Sequence, residues 1–170
     1  MLMVKAKIED LPQIEKLYGD CTDYMNQNAI YQWDDKYPNS EMYKICIEDE
    51  ELFLFIVNNK VVGSVVLDEF QSEEWSALKW KYNEGSQLVI HALAIDPAAQ
   101  GKGYGQKALE LCEEYAINSN YNLMRLDAFS ENQVALKLYE KNGYRKVGTI
   151  VFDSKPVNHQ EYHCYEKKLK

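Results

Sequence analysis

No stretch of this chain approaches the roughly 20 consecutive apolar residues that span a bilayer. The opening Met1-Leu2-Met3-Val4 runs at once into Lys5, Lys7, Glu9 and Asp10, unlike a secretory leader, so a cytoplasmic protein with no membrane partner is the expectation. Cysteine pairs are also lacking. Cys21, Cys46, Cys112 and Cys164 are widely spaced, with no Cys-x-x-Cys and no paired histidines, so no zinc site, no other metal and no redox motif is suggested. They read as reduced, mostly buried thiols. Basic charge is in deficit as well: 19 Lys and Arg against 27 Asp and Glu leave a net charge of −8. That argues against a nucleic-acid surface and is compatible with a cationic acceptor such as an amine. With 170 residues, 46% of them hydrophobic, the chain has enough material for one well-buried domain over residues 1–170 and too little for two.

What the chain does have is Gln100-Gly101-Lys102-Gly103-Tyr104-Gly105, which follows an apolar run ending in Ile95-Asp96-Pro97 and opens into a helix-patterned segment. Glycines let backbone N–H groups turn toward one point, and the following helix adds its positive N-terminal end, so the arrangement suits an anion such as phosphate. The same hexapeptide also reads as a plain strand-to-helix turn. A dinucleotide fingerprint fails, because Gln106 stands where the third glycine belongs. A nucleotide P-loop fails too, because Lys102 precedes the last glycine and no Gly-Lys-Ser/Thr follows.

A second segment adds Asn132, Ala135, Leu138, Tyr139, Glu140, Lys141, Asn142, Gly143 and Tyr144. Together the two segments resemble the GNAT superfamily of acyl-CoA-dependent N-acyltransferases. That family has Gln/Arg-x-x-Gly-x-Gly/Ala, a helix, a strand, then Asn-x-x-Ala-x-x-Leu-Tyr-Glu-Lys-x-Gly-Phe. Gln100, Gly103 and Gly105 fit the first part. Asn132, Ala135, Leu138 to Lys141 and Gly143 fit the second, with Tyr144 in place of Phe. The resemblance covers about residues 50 to 150. It implies an α/β (α+β) fold: a mixed, largely antiparallel sheet flanked by helices, with splayed central strands holding acyl-CoA. It also implies an acceptor-side half over about 1–86, an acetyl-CoA-binding half over about 87–150 and C-terminal strands over about 145–170.

Along the chain, Leu2 to Lys5 reads as a first strand, followed by a helix with Asp10 as N-cap, Pro12 in its first turn, and Ile14, Leu17, Tyr18 and Cys21 as its buried stripe. Tyr24 to Asn39 lacks clean periodicity and could hold a second helix or a lid. Glu48 to Glu51 reads as a solvated turn. Leu52–Val57 and Val61–Leu67 flank Asn58-Asn59, a pair that tolerates the positive φ of a tight hairpin. Asp68 to Gly85 is polar with Trp75 and Trp80 interspersed and reads as a loop that could cover the acceptor site. Leu88 to Ile95 is the next strand. A helix over Gly105 to Asn118 would bury Ala108, Leu111, Cys112 and Tyr115, and Asn122 to Phe129 is another strand. The helix after Asn132 puts Ala135, Leu138 and Tyr139 on one face and stops at Asn142-Gly143. Two antiparallel strands, about Arg145–Asp153 and Tyr162–Leu169, close the sheet.

The resemblance assigns roles to these positions. Backbone groups of Leu93, Ala94 and Ile95 would meet the pantetheine arm and thioester carbonyl, where fixed donors matter because losing one typically slows such a reaction about 10²–10³-fold. Gln100, Gly101, Lys102, Gly103, Tyr104 and Gly105 would hold the pyrophosphate of acetyl-CoA, and Asn132 would bond the pantetheine arm. From the residues alone, Lys102 is equally a solvated lysine and Asn132 equally a helix cap. Tyr139 would be the proton donor to the departing thiolate; on its own it reads as core. Asp127, five residues before Asn132, stands where some ribosomal-protein N-acetyltransferases of the superfamily carry a catalytic Glu, and otherwise reads as a polar strand contact. His91 is the alternative base or a hydrogen-bonded core residue. Simple alternation puts His91, Leu93 and Ile95 on one face, unless a bulge of the kind common in this family's strand intervenes.

The chemistry needs few groups. An ammonium of pKa about 10 must lose a proton before it attacks, and a thiol of pKa about 8.5 leaves readily once protonated. The expected activity is therefore acetyl transfer from acetyl-CoA directly to a primary amine of a small molecule or peptide, with polyamines, amino acids and protein N-termini all open. A homodimer is left open as well. The main rival is a non-catalytic module of the same fold that binds or senses acyl-CoA. The Tyr24, Tyr31, Trp33 and Tyr37 side chains could line the acceptor side or serve as ordinary core and surface aromatics.

Overall fold

The computed structural model describes residues 1–169; Lys170, the last residue of the expected domain, lies outside the described residues. Seven strands form one mixed sheet: β1 (Leu2–Lys5), β2 (Leu52–Val57), β3 (Lys60–Asp68), β4 (Gln87–Ile95), β5 (Leu123–Phe129), β6 (Arg145–Val151) and β7 (Glu161–Lys168), in the order β1-β2-β3-β4-β5-β7-β6. Four α-helices accompany them: α1 (Leu11–Gln27), α2 (Ser40–Glu48), α3 (Tyr104–Asn118) and α4 (Gln133–Lys141). The α/β architecture with a largely antiparallel sheet is the expected one. Two compact units divide the chain, one comprising Met1–Leu67 with His91–Ala108, the other Asp68–Ile90 with the chain from Leu109 onward. Among the described residues no helix is long and apolar enough to cross a membrane.

In the first unit, β1 pairs antiparallel with β2, and β2 with β3. The hairpin turn has the backbone its asparagines predict, with φ of +50° at Asn58 and +59° at Asn59. On α1 the predicted stripe of Ile14, Leu17, Tyr18 and Cys21 is buried. Asp10 precedes that helix but does not cap it. A 3-10 turn at Ile8–Asp10 puts Asp10 in helical backbone, so its carboxylate accepts instead from the Lys7 N–H at 2.9 Å and Gln13 Nε2 at 2.7 Å. Tyr24 to Gln27 completes α1 and no further helix starts before Ser40, where Asn39 caps α2 by accepting the Met42 N–H at 3.0 Å. Tyr43, Cys46 and Ile47 form the buried face of α2. Trp33 joins that core, its ring 5.4 Å from that of Tyr18, while Tyr24, Tyr31 and Tyr37 are exposed.

In the second unit, the start of β4 runs parallel to β5 from Gln87↔Leu123 to Ile90↔Leu126, β5 pairs antiparallel with β7, and β7 with β6. The inner face of α3 is turned by about one residue from the expected one. Ala108, Leu109, Cys112 and Ala116 are buried, and the larger Leu111 and Tyr115 sit on the shoulders. The small residues Ala108, Cys112 and Ala116, at i, i+4 and i+8, form this buried ridge together with Leu109. On α4 the buried residues are Leu136 and Tyr139, with Ala135 and Leu138 half-exposed.

Candidate functional site

In the first unit the candidate residues lie at the end of β4 and in the turn after it. Ala92 has a φ of +49°, a conformation costly for a residue with a Cβ. It persists because the buried Tyr18 hydroxyl donates to the Ala92 carbonyl at 2.7 Å, and Tyr18 is itself stacked on Tyr43 at 4.9 Å. The kink breaks simple alternation, so sharing a face no longer follows for His91, Leu93 and Ile95. All three are half-buried, and Ala94 is buried. At Gly63 of β3 a Cβ would lie 2.5 Å from the Ala94 carbonyl oxygen, so only glycine lets β3 approach β4 this closely.

The strand end is pinned from several directions. The Ile95 carbonyl accepts from Gln100 Nε2 at 3.2 Å and from Cys21 Sγ at 3.5 Å. The Asp96 N–H donates to the Val62 carbonyl at 2.9 Å, while its carboxylate accepts from the Ala98 N–H at 2.8 Å and caps a 3-10 turn over Pro97–Ala99. Gly101 and Gly103 follow with φ of +76° and +77°, and no atom lies within 4 Å of a Cβ built on either. Backbone conformation, not crowding, is thus what asks for glycine, and the space above both Cα atoms is open. Tyr104 and Gly105 start α3, whose Lys107 N–H bonds back to the Gly103 carbonyl at 3.1 Å. The first N–H groups of α3 lie at the positive end of the helix. Lys102 extends its Nζ to the Ala98 carbonyl at 3.3 Å, on the surface of the same turn. This open turn of N–H donors fits a pyrophosphate.

In the second unit the candidate residues lie on β5 and α4. Asn132 caps α4, its side-chain oxygen accepting the Ala135 N–H at 3.1 Å. Tyr139 is buried between the rings of Tyr144 at 5.9 Å and Tyr165 at 6.1 Å. Burial first, then the Asp127 carboxylate, pushes its phenol well above the ordinary value, so it carries its proton at neutral pH. Tyr165 donates to Glu140 of α4 at 2.9 Å. Strand alternation, with Leu126 opposite Tyr165, therefore places α4 and Tyr139 on the Leu126 face of β5. Arg125 and Asp127 occupy the other face.

That other face is covered by the segment before β4, an arrangement the sequence reading missed. Trp75, 2% exposed, donates its indole N–H to Asp127 Oδ2 at 3.1 Å. Trp80 donates to the Trp75 carbonyl at 3.2 Å, and the Arg125 guanidinium lies 4.1 Å from the centre of its ring. Arg125 also donates to Gln71 Oε1 and to the Tyr82 carbonyl, each at 2.6 Å. Glu166, opposite Arg125 in the ladder and 1% exposed, accepts the Lys81 N–H at 3.1 Å, the Tyr82 N–H at 3.3 Å and a charged bond from Arg145. The signal was present as two charges, Arg125 and Asp127, spaced two apart within the apolar run Leu123–Phe129.

Burial pushes the Cys21 thiol up to about 12 and raises Cys112 and Cys164 further, so none of these three is a thiolate nucleophile at neutral pH. Among the described residues no group of three or more His, Cys, Asp or Glu is placed to hold a metal ion.

Residues 11–144, which include the glycine turn and the Asn132–Gly143 segment, match a family model, acetyltransferase (GNAT) family. The chain belongs to the GNAT acetyltransferase family. A crystal structure of a GNAT-family acetyltransferase from Streptococcus agalactiae has the same fold, with a TM-score of 0.85 and 19% identity over 99% of this chain and 95% of that one. A Salmonella typhimurium structure described as yncA, a putative acetyltransferase with its cofactor acetyl-CoA, aligns with a TM-score of 0.73 at 15% identity, covering 99% and 94% of the two chains. By sequence the chain is 32% identical to N-alpha-acetyltransferase RimI of Mycobacterium tuberculosis over 62 residues, 36% of this chain and 37% of that protein. The alignable region thus spans little more than a third of that relative's length.

Proposed function

We propose that this GNAT member is an acetyl-CoA-dependent N-acetyltransferase that moves the acetyl group directly to a primary amine of a small molecule or peptide. The observation that carries the reading is the turn at Gly101 and Gly103, left-handed, open above both glycines and leading straight into α3. In this reading the N–H groups from Gly101 to Gly105 bind the pyrophosphate, and Lys102 releases the Ala98 carbonyl to add a charge. Backbone groups of Leu93 to Ile95 align the thioester, held in place by the kink at Ala92. Gln100 supports them from behind through the Ile95 carbonyl. Asn132 turns its amide toward the pantetheine arm while capping α4.

Acetyl-CoA supplies an acetyl group already activated on a thiol leaving group. Asp127 takes a proton from the acceptor ammonium; His91 is the alternative base. The freed amine forms the C–N bond as the C–S bond breaks; Tyr139 gives its proton to the sulfur, and the second proton leaving the nitrogen restores the tyrosine phenol. Support for this division comes from the faces of β5: base and acid stand on opposite sides, so neither protonates the other directly. The cysteines support transfer without a covalent enzyme intermediate, because three of them are held as buried thiols.

The name of the mycobacterial relative supports including peptide N-termini among the acceptors. Thiol release measured against polyamines, amino acids, aminoglycosides and short peptides tests the reading. Acceptor-dependent release that falls in Tyr139→Phe is the expected result. Acetyl-CoA binding without release on any acceptor would favour a sensing module instead.

A further inference from the structure

Trp75 belongs to the segment over β5 and bonds a proposed reacting group. Its indole can only donate, and a carboxylate oxygen such as Asp127 Oδ2 accepts more strongly than the oxygens of a neutral carboxyl. The contact therefore favours the carboxylate form of Asp127 and restricts the orientation of its side chain. The indole is not free to drift. Its segment is tied down beyond it by Trp80 against Arg125 and by two backbone N–H groups on Glu166. A ring that is 2% exposed and anchored this way holds one orientation.

We propose that Trp75 is a positioning residue for the acetyl-transfer reaction, favouring the ionised form of Asp127 and fixing the orientation of its side chain. This rests on the assignment of Asp127 as base. Other charged or titratable groups of this unit also face Asp127 or its partners. Arg125 shares its face of β5, Cys164 stands opposite it on β7, and Glu166 lies two residues further along β7. Arg145 and Lys146 come from β6, the former paired with Glu166 and the latter acting on Cys164. Tyr139 approaches from α4. Burial raises Cys164 and Tyr139, so both keep their protons through the neutral range.

The test combines pH–rate profiles with a mutation-free readout. In Trp75→Phe the acid limb of kcat/KM should move to higher pH by about half a unit or more, with kcat falling about tenfold and the KM for acetyl-CoA unchanged. Asp127→Asn keeps an acceptor for the indole and should abolish the acid limb. In the intact ¹⁵N-labelled protein, one of the three tryptophan indole N–H resonances should titrate together with that limb. That resonance should stay still in Asp127→Asn. An indole signal that does not move through the limb, or a Trp75→Phe profile superimposable on the wild type while Asp127→Asn is inactive, would overturn the role of Trp75. Full activity in Asp127→Asn would instead remove the base assignment itself.

Discussion

The hydroxyl of Tyr18 on α1 donates to the carbonyl of Ala92 on β4 at 2.7 Å, and that bond sits at the one residue of β4 with a left-handed backbone. A buried helix thus holds the kink in the strand whose next three residues are proposed to align the thioester. Tyr18→Phe keeps the ring stack on Tyr43 but leaves the carbonyl without its donor. Urea denaturation should register a loss of about 1–2 kcal/mol, and kcat should fall more than the KM for acetyl-CoA rises. Unchanged turnover in a destabilised variant would separate the brace from the chemistry.

Gly103→Ala tests the turn. No atom lies within 4 Å of the added Cβ, so the cost is that of holding φ at +77° with a side chain, about 1 kcal/mol or slightly more. Calorimetric titration should show weaker acetyl-CoA binding with little change in acceptor preference. Gly101→Ala, at φ of +76°, should behave alike.

Glu166 is 1% exposed and gathers two backbone N–H groups and Arg145 opposite Arg125. Removing it leaves the Lys81 and Tyr82 N–H groups without their acceptor and Arg145 without its partner, so Glu166→Ala should cost about 1–3 kcal/mol in chemical denaturation. The cost should be accompanied by exposure of Trp80, visible as a red shift in tryptophan emission. A loss below 1 kcal/mol would mean that water or Gln71 takes over the role.

Burial raises the phenols of Tyr18, Tyr43, Tyr139, Tyr144 and Tyr165 above their ordinary value. Each then binds its proton more tightly folded than unfolded. Their contribution to stability is complete below the unfolded value of about 10 and declines as pH rises past it toward the folded values. Thermal midpoints should therefore be flat near neutrality and fall steeply above pH about 10. Replacing Tyr144 by Phe should make that fall shallower.

The parts of this fold that were legible in the sequence are local ones. Asn58-Asn59 demands a particular turn, and Gly101 and Gly103 stand directly before a helix pattern. Ile14, Leu17, Tyr18 and Cys21 carry a helical period by themselves. The short helix α2 is not among the sequence expectations, although Asn39 and the Tyr43, Cys46, Ile47 spacing announce it. Trp75 and Asp127 are 52 residues apart and Tyr18 and Ala92 are 74 apart, so those partnerships exist only once the chain is folded. Residue type signalled that Asp127 wanted a partner; it could not signal which. Asn132 was open between cap and ligand, and the structure places it as the cap of α4.

Calorimetric titration with acetyl-CoA, repeated with a nucleotide that lacks the pantetheine arm, tests the central claim most directly. The account predicts one saturable site for acetyl-CoA, weakened in Gly103→Ala, and little competition from the nucleotide. No detectable heat from acetyl-CoA, or equal binding of the nucleotide alone, would contradict it.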